Sequence, residues 1–238
     1  MRLLITTAGS HGDINPFIAI GRAMVSRGHE AVMLVNPYYK TQVEEAGVGF
    51  LPIGEHFDLK EIATTLPDIM HPRRAGKLVL NELMIPHARE MFDLLPRLLR
   101  EFKPHAVLHH HISMAVPPIC LRHGVPFATA VLAPMMWLSR EDVFTPGQWS
   151  PVNPPPWQRW LLHNLAPPLM RLMVDPALNR VRVAAGYSRQ KCILKTVAQG
   201  GTVNLGLWSP ALRGPLDSDP ATGVICGFPW HDRHGEHE

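Results

Sequence analysis

The chain has 238 residues, 46% of them hydrophobic, and a formal net charge of only +3. That length suits one large domain or two small ones with a real core, and so small a charge gives no reason to expect a nucleic acid partner. No apolar run approaches the ~20 residues of a membrane span, so any membrane contact is expected to be peripheral.

Leu3 to Thr7 reads as an apolar strand, followed by a small turn, Ala8-Gly9-Ser10-His11-Gly12-Asp13, and a helix from Ile14 to Arg27 with Pro16 near its start. This is the first βα unit of an open parallel sheet, whose ligands sit at the C-terminal ends of the strands. The turn sets a carboxylate, Asp13, and an imidazole, His11, beside backbone that glycine lets come close. Phe17, Ile20, Gly21, Met24 and Val25 share one helix face, and Gly28 is a stop signal. Ala31 to Val35 is unbroken and apolar, as expected of a strand covered on both faces. Asn36-Pro37 breaks it; Tyr38 to Ala46 forms a short helix stopped by Gly47, and Val48 to Pro52 a third strand.

Residues 53–76 lack a clear period and read as a loop with short helical turns. Lys77 to Phe102 is a long helix that Pro86 and Pro96 should kink or divide. Ala106 to His109 is a fourth strand, Ser113 to His123 a helix stopped by Gly124, and Pro126 to Leu132 a fifth strand. From Ala133 the style changes. The segment from Thr145 to Trp160 holds five prolines and three tryptophans, so 133–160 is expected to be irregular. Helical spacing resumes from Leu161 to Val174, interrupted at Pro167-Pro168. Two more short helices follow, at Asn179 to Gly186 and Gln190 to Ala198. Thr202 to Leu207 and Val224 to Phe228 read as the last strands, and the polar tail is expected to fray.

Between Val143 and Arg213 lie eight basic residues and one acid, Asp175, so this stretch carries +7 and the remainder −4. It reads either as a solvated basic face or as a surface for an anionic partner such as lipid headgroups or a phosphate. Three cysteines, Cys120, Cys192 and Cys226, have no metal spacing and read as reduced, buried residues of a cytosolic protein. No secretory signal is visible, which also points to the cytoplasm.

Several segments together resemble the N-terminal domain of the GT-B glycosyltransferases. They are Gly9-Ser10-His11-Gly12-Asp13-Ile14-Asn15-Pro16, Arg27-Gly28-His29-Glu30, Ala46-Gly47-Val48-Gly49-Phe50-Leu51-Pro52, His123-Gly124-Val125-Pro126 and Gly227-Phe228-Pro229. The match is to the glycosyltransferase family 28 N-terminal domain within the UDP-glycosyltransferase superfamily, in the group with a GSxGD turn: antibiotic, sterol and rhamnolipid glycosyltransferases. The resemblance implies an α/β fold, a Rossmann-like open parallel sheet with helices on both faces, over residues 1–229, with 230–238 opening the interdomain linker. It also implies hexosyl transfer from a nucleotide sugar to a hydroxyl of an apolar acceptor, with no cofactor besides that co-substrate. The glycine-rich and acidic motifs of the family's donor-binding domain are not found, so the chain alone is expected to be weak or inactive. The alternative is a non-enzymatic binding or scaffold subunit that partners a separate donor-binding chain.

By the resemblance, Asp13 would deprotonate the acceptor hydroxyl; by sequence alone it reads as an ordinary helix N-cap. His11 would be a helper or substrate contact, or simply exposed polar surface. Gly9 and Ser10 would offer backbone near the donor phosphates, and Gly12 would leave room for the acceptor. Related plant enzymes place an aspartate just after the fourth strand to orient a catalytic histidine; here that place reads His109-His110-His111. Adjacent strand residues point to opposite faces, and no HExxH or Cys/His set accompanies them, so they are not expected to bind a metal. Instead His109 and His110 are candidates for acceptor contact. Met135, Met136, Trp137, Trp149, Trp157, Trp160, Met170 and Met173 form an apolar group after the fifth strand, read either as the acceptor wall (Met135, Trp137 and Trp149 foremost) or as packing under a loop.

Overall fold

The computed structural model describes residues 1–56, 75–139, 141 and 155–231. Seven parallel strands form one sheet: β1 (Arg2–Thr6), β2 (Glu30–Val35), β3 (Gly49–Pro52), β4 (Ala106–His110), β5 (Phe127–Val131), β6 (Val203–Gly206) and β7 (Gly223–Ile225). Their spatial order is β3-β2-β1-β4-β5-β6-β7. The chain therefore runs outward from β1 to β3, then crosses back to lay β4 on the other side of β1. Thr6 pairs with His109 in that β1–β4 register. Such a reversal opens a crevice at the strands' C-terminal ends, where ligands of open α/β sheets bind.

Two apolar layers cover the sheet. On one face Ile14, Phe17 and Ile18 of α1 (His11–Ser26) and Val43 of α2 (Lys40–Glu45) pack on Ile5, Met33, Val35 and Leu108. On the other, Met91, Leu95 and Leu99 of α3 (Ile85–Phe102) and Val116, Ile119 and Cys120 of α4 (Val116–His123) cover Leu4, Leu34, Val107 and Phe127. Alternate residues of β1 thus feed opposite layers, which explains the unbroken apolar runs.

The boundaries hold with instructive shifts. α1 begins at His11, three residues before the expected start, because Ser10 rather than Asp13 occupies the N-cap. Gly28 and Gly124 end their helices with φ of 77° and 66°, a region in which glycine is unstrained. Pro86 lies in the first turn of α3, just after a π-helical stretch, Val79–Met84, while Pro96 sits within α3 without dividing it. Pro167 and Pro168 likewise do not break α5 (Pro156–Ala184), one helix of 29 residues. It absorbs the expected short helix at Asn179 and the end of the segment expected to be irregular. Pro156 begins α5, where a missing N–H costs nothing.

The C-terminal half of α5 docks through Leu178 and Val181, with Asp175 carrying the join to α6 (Ile193–Gln199). The Asp175 carboxylate accepts from the Cys192 N–H (2.7 Å) and the Ile193 N–H (3.1 Å). The N-terminal half leaves Trp157, Trp160, Leu161, Leu165, Leu169 and Leu172 exposed. Beyond β6, Arg213 forms a two-point ion pair with Asp219 (2.5 and 2.6 Å). Ser139 bonds both partners, tying the β6–β7 crossover to the segment after β5. Burial raises the Asp219 carboxyl, but its bonds from Arg213, Ser139 and the Leu216 N–H outweigh that and hold it below the usual range. Of the cysteines, only Cys120 is buried; Cys192 and Cys226 are exposed, contrary to expectation. All three are unpaired thiols. Trp149, residues 57–74 and the polar tail from 232 lie outside the described residues.

Candidate functional site at the sheet reversal

The turn after β1 is built around one carboxylate. Asp13 is the third residue of α1, and its Oδ2 reaches back to accept from the Ser10 N–H (2.8 Å) and the Ser10 hydroxyl (3.0 Å). This is the reach-back bond of a capping box, made by Asp in place of the usual Glu. The Thr7 hydroxyl donates to the Asp13 carbonyl at 2.9 Å, and the Tyr39 hydroxyl to the Gly9 carbonyl at 3.0 Å.

Gly9 is required by this arrangement. Its φ is +123°, and a Cβ there would stand 2.3 Å from Asp13 Oδ2. Gly9→Ala is expected to cost about 1–3 kcal/mol and to push the carboxylate out of place, seen as a lower Tm. An unchanged Tm would show that the turn absorbs the methyl group without strain. His11 stacks edge-on against Tyr38 and Tyr39, with ring centroids 5.8 and 5.2 Å away. Gly12 is exposed on the rim.

Beside this turn, β4 and the residue after it supply three histidines with three different environments. His109 is fully buried, and its Nδ1 lies 3.0 Å from the His110 carbonyl. A carbonyl only accepts, so Nδ1 carries the proton, and Nε2 accepts from the Thr129 hydroxyl at 2.9 Å. Both ring nitrogens are thereby committed to the sheet interior. His110 is also fully buried, against Phe17 at 5.5 Å, with the Ala8 backbone acting on its ring. Burial pushes both imidazoles down to about 3. His87 of α3, bonded through Nε2 to the Ser113 hydroxyl at 3.2 Å, is lowered to about 4 for the same reason.

His111, the first residue past β4, is only partly enclosed and crosses the His110 ring edge-on at 4.2 Å. Burial and then His110 hold it well below the ordinary imidazole value, while the nearby Asp13 charge acts in the opposite direction. His111 therefore stands past the end of β4, whereas His109 and His110, the residues singled out from sequence, lie buried within it. The signal for His111 was its place: the strand ends one residue later than expected, so the third histidine is the one at the rim.

The apolar group after β5 does not gather in one place. Trp137 is buried edge-on against Trp208 (4.7 Å) in a small core with Val131 and Ala198, and so serves packing. Trp157, Trp160 and Met173 are exposed on α5, while Met135, Met136 and Met170 are half-buried. A separate groove of about 360 Å³ lies between α3 and α5 in the opposite layer, lined by Arg89, Phe92, Asp93 and Arg180 among others. Among the described residues no group of three or more His, Cys, Asp or Glu could hold a metal ion.

A parallel sheet of this order with a glycine-bearing turn at its reversal is the Rossmann-like domain of a GT-B fold. Solved glycosyltransferases superpose on it: the glycosyltransferase of kitacinnamycin at TM-score 0.65 and 14% identity, over 99% of this chain and 53% of its own. A second, from Streptomyces sp. SF2575 in complex with thymidine diphosphate, gives 0.53 and 18%, over 94% and 52%. Residues 3–121 match the glycosyltransferase family 28 N-terminal domain, and the chain belongs to that family. Among curated relatives, O-mycaminosyltylonolide 6-deoxyallosyltransferase of Streptomyces fradiae is 33% identical over 95 residues, 39% of this chain and 22% of the relative. Sterol 3-beta-glucosyltransferase of Pichia angusta is 30% identical over 69 residues, 29% and 6% respectively. The chain thus spans about half the length of the solved structures and less of these relatives.

Proposed function

We propose that this chain is the acceptor-binding half of a glycosyltransferase that moves a hexosyl group from a nucleotide sugar to a hydroxyl of an apolar acceptor. The observation that carries the reading is the Asp13 carboxylate, fixed by Ser10 at the mouth of the β1–β4 crevice. A sugar transfer that displaces a nucleotide diphosphate needs the acceptor proton removed as the new bond forms. Asp13 is the charged residue of the group that does so, with His11, Gly12 and the half-buried Met135 at the rim, and Gly9 and Ser10 on the donor side. The nucleotide sugar is held mainly by a second domain or partner chain, and no metal or other cofactor is used. The sterol glucosyltransferase among the relatives supports an apolar acceptor by its name. The test is to join the chain to a donor-binding domain of this family and offer UDP- and TDP-sugars with sterol, lipid and polyketide alcohols. Transfer in the joined protein supports the reading; acceptor binding without transfer, for every donor half tried, favours a binding subunit instead.

The exposed stripe on α5 supports a peripheral contact with an anionic, apolar surface. Trp157, Trp160 and Leu161 lie on the same helix as exposed Arg171 and Arg180, and Arg189, Lys191 and Lys195 follow. No helix among the described residues is long and apolar enough to cross a membrane. Cosedimentation with phosphatidylserine-containing vesicles is expected, weakening as salt rises. Replacing Trp157 and Trp160 together by Ser should weaken it about tenfold or more. Equal binding to neutral vesicles, or none, would reject it.

A further inference from the structure

We infer that Tyr39 is a positioning residue for Asp13, acting through the single peptide unit between Gly9 and Ser10. This role rests on the glycosyltransferase reading above and adds a residue to it. The Tyr39 hydroxyl donates to the Gly9 carbonyl at 3.0 Å, and the Ser10 N–H donates to Asp13 Oδ2 at 2.8 Å. That carbonyl and that N–H belong to one planar trans peptide, so they point in opposite directions and turn together. Tyr39 thus holds one end of the peptide plane and Asp13 takes the other. Turning the plane to free the carbonyl would swing the N–H off the carboxylate. Gly9, with φ of +123°, can bring no Cβ to stiffen the turn, since one there would stand 2.3 Å from Oδ2. The hydroxyl supplies from outside the turn the rigidity that glycine gives up.

The strut is itself anchored. Tyr39 is fully buried in the layer that holds Ile14 and Phe17 of α1. Its ring meets Tyr38 and His11 edge-on, with centroids 5.0 and 5.2 Å away. Its N–H donates to the Asn36 carbonyl at 3.0 Å, and the Tyr38 N–H to the Asn36 side chain at 3.0 Å. Asn36 Nδ2 in turn donates to the Glu55 carbonyl at 2.7 Å. The Asn36-Pro37 break after β2 therefore sets a hydroxyl beside the turn after β1, at the end of two strands that pair in parallel. Hydrogen bonds in series polarise one another, so the hydroxyl also strengthens the Ser10 N–H as a donor to the carboxylate. In sugar transfer the carboxylate must meet the acceptor hydroxyl at one place, and a misplacement of about 1 Å can cost about a hundredfold in rate. Tyr39 serves by keeping the carboxylate in that place.

The first measurement needs no sugar transfer. In Tyr39→Phe the Ser10 amide should exchange with solvent about three- to tenfold faster. The Gly28 amide at the far end of α1, bonded to the Val25 carbonyl, should keep its rate. An unchanged Ser10 rate overturns the strut. If Tyr39→Phe does not fold, 3-fluorotyrosine in place of tyrosine keeps the ring and makes the hydroxyl a stronger donor. Ser10 exchange must then slow, and an unmoved rate overturns the proposal. In a protein joined to a donor half, Tyr39→Phe should lower kcat about three- to tenfold, with acceptor KM within about twofold of wild type. The same substitution in an Asp13→Asn background should change kcat by less than about twofold, because the position it guards no longer carries a charge. Equal losses in both backgrounds would mean that Tyr39 acts through fold stability alone, and would overturn the role. Faster Ser10 exchange without transfer by any joined wild-type protein would instead count against the glycosyltransferase reading and leave Tyr39 standing as the support of the turn.

Discussion

Asp13→Asn, in the chain joined to a donor-binding domain, should lower kcat for sugar transfer by about 10²–10⁴-fold, the usual contribution of a positioned acid or base. Asn keeps an oxygen that can still accept from Ser10, so α1 keeps its cap and the Tm should fall by no more than a few degrees. The substitution separates the two roles of this residue. A residue that only caps α1 would leave kcat near wild type, because Asn keeps the cap; a residue whose charge is used would lose kcat at a nearly unchanged Tm. Ser10→Ala is the complement. It removes the 3.0 Å hydroxyl bond but leaves the 2.8 Å backbone bond to Oδ2, so it should cost about 0.5–1.5 kcal/mol of stability with kcat within about tenfold of wild type. Equal losses of kcat in both variants would mean that geometry, not charge, is what Asp13 supplies.

The parallel sheet was legible because each βα unit carries its own local signals. Apolar β1 feeds both layers, Gly28 and Gly124 end helices in the left-handed region, and Asn36-Pro37 breaks β2 into a 3-10 turn in which Asn36 accepts from the Tyr38 N–H at 3.0 Å. These depend on short-range chemistry, which a sequence displays directly. The proline-rich part misled for a related reason. A proline removes one donor and disfavours helix at the residue before it, yet Pro167-Pro168 sits within a 29-residue helix. There the downstream anchors decide: Asp175 holds the N-terminus of α6, and Asn179 exchanges two 2.8 Å bonds with the Gln190 backbone. Such contacts span 11 to 18 residues and leave no local pattern.

The site was legible in part for the same reason. Asp13 and Gly9 are local to one turn, so their neighbourhood could be read from sequence. The histidines were harder, because side chains alternate along a strand and a single residue decides which one reaches the rim. Placing the end of β4 at His109 made His109 and His110 look available. The strand continues to His110, which buries both and leaves His111 beside the crevice. The aromatic residues mixed two populations that composition cannot separate. Trp137 needs Trp208, 71 positions away, to show that it belongs to the core.

Those buried histidines should make the domain acid-sensitive well above the usual carboxylate range. His87, His109 and His110 have folded values of about 4, 3 and 3, below the ~6.5 of an unfolded imidazole. Folding therefore favours their neutral forms. That contribution is fully present above pH ~6.5 and is withdrawn as pH falls toward the folded values, because the unfolded chain binds protons the folded one refuses. Between pH 6.5 and 5 the three together should remove on the order of 5 kcal/mol, a large part of the 5–15 kcal/mol that holds a typical domain. Urea midpoints measured at half-unit intervals should fall steeply across that window, with acid unfolding near pH 5. His110→Phe isolates one share of the effect. Its ring is fully buried beside Phe17 and His111 and meets the Ala8 backbone, so an apolar ring of similar shape gives up about one neutral hydrogen bond and removes a group that must stay neutral. The variant should match or exceed wild-type stability at pH 5 and show a shallower slope by about one histidine's share. A urea midpoint that stays flat from pH 7 to 5 in the wild type would mean that these imidazoles reach water when protonated, and that the layer beneath the crevice opens more readily than its packing implies.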